Sequence, residues 1–181
     1  MYKSSFSQNK AYNTALVIIP PAELCSQIQS IRKIYDSAFD RWMPHINLCF
    51  PFIPTDEFEY FSQKFSDTLK EFPCFQIKFS DFGDFDHAKK SVLWANPQTK
   101  NEEIREIYKI ITKELSFLKE ERDYNPHLTL GQFEKTNIMA KKEEFLKEWK
   151  EIIFEVKEIH LIQRDSQSSP FYIKNSIKLK E

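Results

Sequence analysis

Two strings half a chain apart, Pro44-His45-Ile46-Asn47-Leu48 and Pro126-His127-Leu128-Thr129-Leu130, spell the same order of proline, histidine, apolar residue, polar residue and leucine. In an extended strand alternate side chains share a face. His45 and Asn47 therefore point one way and Ile46 and Leu48 the other, and His127 and Thr129 repeat the arrangement. The flanking sequence repeats as well. A strand, a helix, a histidine strand, a helix and a strand run from 15 to 79, and the same order runs from 91 to 157. A duplicated α+β unit related by a pseudo-twofold axis would carry both histidine strands to one central cleft. Two imidazoles, each with a small hydrogen-bonding partner two residues on, are what a site needs to hold an oxyanion and move protons on either side of it.

The aliphatic run Ala15-Leu16-Val17-Ile18-Ile19, ended by Pro20-Pro21, suits a strand buried on both faces. Leu24, Ile28, Ile31 and Tyr35 then recur at helical spacing, with Pro21 at an early helical position. Residues 36–42 connect to the first histidine strand. Thr55, Asp56 and Glu57 mark the start of a second helix, whose Phe58, Phe61, Phe65 and Leu69 form one apolar stripe. Phe75-Gln76-Ile77-Lys78-Phe79 alternates as a half-exposed strand, and Asp81-Phe82-Gly83-Asp84-Phe85-Asp86 reads as a loop. In the second half 91–95 is a short strand, and Asn101 is placed to cap a helix carrying Ile104, Ile107, Tyr108, Ile111 and Leu115. Residues 120–123 form a charged turn before the second histidine strand. A helix over 138–153 turns Phe145, Leu146 and Trp149 inward, and 153–157, 159–163 and 171–179 supply the remaining strands.

At 181 residues the chain suits one compact unit. Residues 1–13 are expected to be a flexible arm and 14–181 a single bilobal domain. Its lobes are built roughly from 15–86 and 87–179, with strand exchange between them allowed. The net charge of -1 supplies no global attraction for a long duplex nucleic acid, although a small anion needs only a local patch. Most of the 17 Phe are expected in the core. Cys25, Cys49 and Cys74 show no CxxC spacing and leave one thiol over, which favours reduced cysteines over a disulfide framework or a zinc site. The N-terminus lacks a signal-peptide core, and no apolar run reaches membrane-spanning length. A monomer in the cytoplasm, with the nucleus also open, is the expectation.

The paired strings resemble the His-x-Thr/Ser-x motifs of the two-histidine phosphoesterase superfamily, which includes bacterial 2′-5′ RNA ligase-like proteins and eukaryotic cyclic phosphodiesterases. The element order from 15 to about 179 is compatible with that family. The resemblance implies an α+β fold, a bilobal duplicated unit with two antiparallel sheets around a central cleft and helices on the outer faces. It also implies a metal-independent phosphoric diester hydrolase with His45 and His127 catalytic. Its substrate would be a 2′,3′-cyclic phosphate, a 2′-5′ linkage or a related nucleotide or RNA-end phosphodiester. One imidazole would take a proton from water while the other gives one to the departing ribose oxygen. Thr129 and Asn47 would bind phosphate oxygens. Asn47 departs from the family pattern, which has a hydroxyl there, but its amide can still donate to a phosphate oxygen.

Substrate contacts are less defined. Trp42, Phe50, Phe52, Trp94 and Phe133 lie near the motifs and could stack a base, although packing is the commoner fate of each. By strand parity Phe50 should face the core. Lys90, Arg164 and Tyr172 are candidate phosphate or nucleotide contacts. Gln132 stands where some relatives place a basic residue, which implies a weaker grip on a second phosphate. His87 is expected in an exposed loop and His160 in a structural role. No second ligand lies at metal-binding spacing from His45 or His127, so neither metal nor cofactor is expected. The rival reading from another class is a binding module that captures a nucleotide or RNA end in the same cleft without turning it over. A third is a scaffold that uses the fold for interaction alone.

Overall fold

The computed structural model describes residues 8–86 and 89–181. His87, expected in an exposed loop, and the first seven residues of the expected arm lie outside them. Twelve strands and helices follow in chain order: β1 (Thr14–Ile18), α1 (Ser26–Tyr35), β2 (Ile46–Cys49), α2 (Phe58–Leu69), β3 (Phe75–Asp86), β4 (Lys90–Gln98), α3 (Glu103–Glu114), β5 (Leu128–Glu134), α4 (Ile138–Glu148), β6 (Ile152–Val156), β7 (Glu158–Gln163) and β8 (Tyr172–Lys178). They form two four-stranded antiparallel sheets, ordered β2-β1-β7-β8 and β5-β4-β3-β6. The fold is thus α+β with two antiparallel sheets, as the sequence implied.

The repeat is visible in the pairing. β1 pairs β2 in one sheet as β4 pairs β5 in the other, and the histidine strand is an edge in both. The helices cross over: α1 packs on β5, α3 on β2 and α2 on β8. The last strand of each repeat breaks the symmetry, because β3 and β6 both enter the second sheet while β7 and β8 complete the first. The sheets therefore cut across the halves 15–86 and 87–179. The arm also gains an anchor, since Ala11 exchanges two backbone hydrogen bonds with Phe52.

β1 is buried along its whole length, as its unbroken aliphatic run dictates. Its two faces serve different cores. Leu16 and Ile18 join the main core with Ile46, Leu48 and the Phe58, Phe61, Phe65 and Leu69 stripe of α2. Ala15 and Val17 face the cleft, where they meet Ile162 and Phe171 with Trp42, Met43 and Phe50 against them.

Three local expectations need correction. Leu24 falls in a 3₁₀ turn over Ala22–Leu24, whose tighter winding moves it off the inward stripe and leaves it 37% exposed. Asn101 does not cap α3 with its side chain. The Glu103 carboxylate instead accepts the Asn101 backbone N–H at 2.8 Å and its amide at 3.3 Å. Residues 81–86 are strand, continuing β3 along β4 beyond a register shift between Phe79 and Phe82. The glycine that suggested a turn marks a close approach instead. A Cβ on Gly83 would lie 2.1 Å from the Trp94 ring, which crosses the strand at that point. The other glycine behaves alike: a Cβ on Gly131 would lie 2.6 Å from Tyr35 Cβ, where the end of α1 abuts β5.

Candidate active site

Each histidine sits one residue before its strand, and the proline before it explains its fixed orientation. A residue preceding proline is held extended. Met43 and Asn125 therefore turn their carbonyls to the rings, where His45 Nδ1 meets Met43 O at 2.7 Å and His127 Nδ1 meets Asn125 O at 2.8 Å. A backbone carbonyl can only accept, so Nδ1 carries the proton in both neutral rings and Nε2 is left as the reactive nitrogen.

A cleft of ≈ 210 Å³ is lined by Arg32, Asp36, Trp42, His45, Asn47, Thr129 and Gln132 among others, so it joins both motif strands. Val17 pairs with Asn47, and Trp94 with Thr129, which puts one residue of the neighbouring strand beside each motif's polar residue. The Thr129 hydroxyl has no protein partner among the described residues. His127 lies near enough that its charge lowers the basicity of His45. Burial is the larger effect and pushes the His45 imidazole down to about 4. The Met43 carbonyl and Asp36 oppose the shift, and Arg32 adds to it. Burial also lowers His127, opposed by the Asn125 carbonyl and by Glu120.

Aromatic rings hold both imidazoles. Trp42 stacks on His45 with centroids 4.5 Å apart and planes at 20°, and is itself backed by Phe171 at 3.9 Å and Phe50 at 5.0 Å. On the other side Phe85 meets His127 edge-on at 4.8 Å, and Trp94 lies 6.0 Å from it. The Trp94 indole N–H is buried with no hydrogen-bond partner among the described residues.

A buried ion pair sets the floor. Arg32 and Asp36, side chains 2% and 3% exposed, meet at 2.9 Å at the end of α1. The Arg32 guanidinium also donates to the Trp42 carbonyl at 2.8 Å, and Asp36 accepts the Ala38 N–H at 3.0 Å and the Gln132 amide at 3.2 Å. The Gln132 carbonyl accepts the Ser37 N–H at 2.9 Å. Gln132 is thus committed to tying β5 to α1. A second tie runs from the Tyr124 hydroxyl to the Asn47 carbonyl, 2.7 Å.

The other sequence-named residues are more scattered. Phe52 is fully buried among the core rings beside Phe58 and is a packing residue, not a substrate contact. Phe50 corrects the parity expectation in the opposite sense. Pairing of β2 ends at Cys49, alternation lapses, and Phe50 lines the cleft. Trp94 is at the site. Lys90 is on the same face of β4 but four residues along, roughly 13 Å away. Arg164 is buried, donating to the Gln167 and Tyr12 carbonyls and lying 4.8 Å over the Phe171 ring, so it buttresses Trp42 from behind. Tyr172 pairs with Gln163, on the face opposite Ile162, and donates to Asp165 at 3.0 Å away from the cleft. His160 stands on the cleft face of β7, with Nδ1 bonded to the Ser176 hydroxyl at 2.8 Å. Phe133 packs on Tyr35. Sequence reasoning missed Arg32, Asp36 and Tyr124. The only trace of the first two was opposite charge at i,i+4 spacing on α1.

Two backbone-locked imidazoles, each one residue before an edge strand of its own sheet, fit a class, the two-histidine phosphoesterases. The chain belongs to the 2′-5′ RNA ligase superfamily, whose sequence profile matches residues 20–168. A Geobacillus kaustophilus protein described as a phosphoesterase is 26% identical over 118 residues, 65% of this chain and 67% of that one. Escherichia coli LigT has the same fold. Its apo form superposes with a TM-score of 0.66 at 14% identity, covering 96% of this chain and 100% of LigT. Its complex with 3′-AMP gives 0.67 at 16% identity, covering 94% and 99%. TT0787 of Thermus thermophilus gives 0.61 at 13%, covering 93% and 98%. Among the described residues no helix is long and apolar enough to cross a membrane.

Proposed function

We propose that the protein is a phosphodiesterase that hydrolyses a 2′,3′-cyclic phosphate, a 2′-5′ linkage or a related RNA-end phosphodiester by acid–base catalysis between His45 and His127. The observation that carries this reading is the shared Nδ1 lock, which leaves an Nε2 on each imidazole free of any backbone bond, with His45 lining a cleft that also holds Asn47 and Thr129 and His127 close enough to act on His45 electrostatically. The cleft, with its polar Asn47 and Thr129, suits a phosphate group, and LigT has been solved with 3′-AMP.

His45, the more strongly depressed imidazole, is neutral at working pH and serves as base: Nε2 takes a proton from water as its oxygen bonds to phosphorus. His127, which burial lowers while the Asn125 carbonyl and Glu120 oppose the shift, enters the step doubly protonated, serves as acid and passes its Nε2 proton to the ribose oxygen as the P–O bond breaks. The Thr129 hydroxyl and Asn47 amide hold the non-bridging oxygens, whose charge grows in the transition state. Trp94, beside His127, offers a stacking face to the nucleoside. Each proton transfer is worth roughly 10²- to 10⁴-fold in rate.

The test is a panel of 2′,3′-cyclic nucleotides and of 2′-5′ and 3′-5′ oligonucleotides, assayed with and without chelator. Chelator-insensitive hydrolysis that collapses in His45→Ala and in His127→Ala supports the proposal. Ligands bound but left intact would make the cleft a binding module.

A further inference from the structure

Asn47 stands where the family pattern has a hydroxyl, and its amide does something a hydroxyl in the cleft need not do. With Nδ1–H of His45 given to Met43, the neutral ring offers its only lone pair at Nε2, and Asn47 Nδ2 lies 3.1 Å from that atom. The amide oxygen of Asn47 is buried and has no hydrogen-bond partner among the described residues. The other half of the site lacks the arrangement: His127 has the same backbone lock, yet no side chain bonds its Nε2 among the described residues. The His45 lone pair is therefore covered, and a single weak bond holds the cover in place.

We infer that Asn47 caps the base, its amide covering the Nε2 lone pair of His45 in the resting site and releasing it when a substrate phosphate oxygen takes the amide N–H instead. The inference rests on the phosphodiesterase reading and fixes the order of events within that site. A lone pair that already accepts a hydrogen bond is less available to a proton. Water reaching the empty cleft thus finds His45 covered, whereas a bound phosphate competes for the same N–H and exposes the base beside the phosphorus that water must attack. Because the amide oxygen has no partner of its own, the exchange breaks one hydrogen bond and forms a charge-assisted one. Asn47 is on this account a positioning residue as well as a phosphate ligand. The charged and titratable groups facing the ring are Arg32 from α1, Asp36 at the C-terminal end of that helix and His127 one residue before β5. All three persist when Asn47 is replaced.

The experiment is an NMR titration of both imidazoles in the full-length protein without substrate, comparing the native chain with Asn47→Ala and Asn47→Thr. A cap on the lone pair stabilises the neutral ring, so its removal raises the His45 pKa by about half a unit to one unit while His127 stays in place. Saturating inorganic phosphate should raise the native His45 pKa by more than it does in Asn47→Ala, because only the native ring is uncapped by the anion. An unchanged His45 pKa in both variants overturns the inference. So does a fall, which would mean the amide turns over to support the imidazolium. Equal movement of both histidines would indicate a general rearrangement and overturn it too. The readout needs no turnover. An intact cap without hydrolysis refutes the phosphodiesterase reading alone, and hydrolysis with no change at His45 refutes the cap alone.

Discussion

Asp36→Ala should be among the most damaging single changes near the site, because it strands a buried charge. Arg32 is 2% exposed, and Asp36 is its ion-pair partner, at 2.9 Å. Breaking a buried pair by removing one member costs about 3–5 kcal/mol, most of it the desolvation of the charge left behind. The same carboxylate accepts the Ala38 N–H and the Gln132 amide. Those lost bonds add about 1 kcal/mol each at most and overlap with the first loss. With a urea m-value of about 2 kcal/mol/M, the unfolding midpoint should fall by about 2 M. Arg32→Met with Asp36→Leu removes both charges, keeps the volume and should recover most of the loss. Urea unfolding followed by far-UV circular dichroism reads both. A loss under about 1 kcal/mol for Asp36→Ala would refute the reasoning, since it would place the pair with exposed ion pairs that water already screens.

Gly83→Ala should lower the melting temperature by about 5 °C, because a Cβ 2.1 Å from the Trp94 ring forces overpacking or displaces the indole; an unchanged melting temperature would mean the ring is free to move. Stability should decline as pH falls from about 6.5 toward 4. The unfolded chain binds a proton at His45 in that window and the folded chain does not, a difference of about 3 kcal/mol that urea unfolding at pH 7 and pH 4 should show reduced in His45→Gln. The pH profile of kcat/KM should be a bell with its optimum below 6.5, since burial lowers both imidazoles; a maximum in the alkaline range would contradict the assignment.

The paired motifs were legible because the histidine pattern, its strand alternation and the repeated element order all pointed the same way. The two sheets and their cleft followed from that repeat. The partition of strands did not, because nothing local in β3 or β6 announces which lobe it will join, and both chose the second sheet. Gly83 misled for a physical reason: glycine serves turns and close approaches alike, and only the Trp94 ring across the strand decides between them. Phe50 left the expected face because alternation predicts a face only while pairing lasts, and it ends at Cys49, whereas Phe52 was named for its nearness to the motif and is buried in the core. Arg32 and Asp36 drew no notice in the sequence, where residues 36–42 read only as a connector. They are buried because α1 crosses to β5, a tertiary fact absent from their own neighbourhood.

The central claim is that His45 and His127 act on one phosphate. A double-mutant cycle on kcat, with His45→Ala, His127→Ala and both together on the best substrate of the panel, tests it most directly. Two groups working in one displacement should behave as a unit: each single variant loses roughly 10²- to 10⁴-fold, and the double variant loses little more than either alone. Losses that multiply, or full activity in either single variant, would contradict the account.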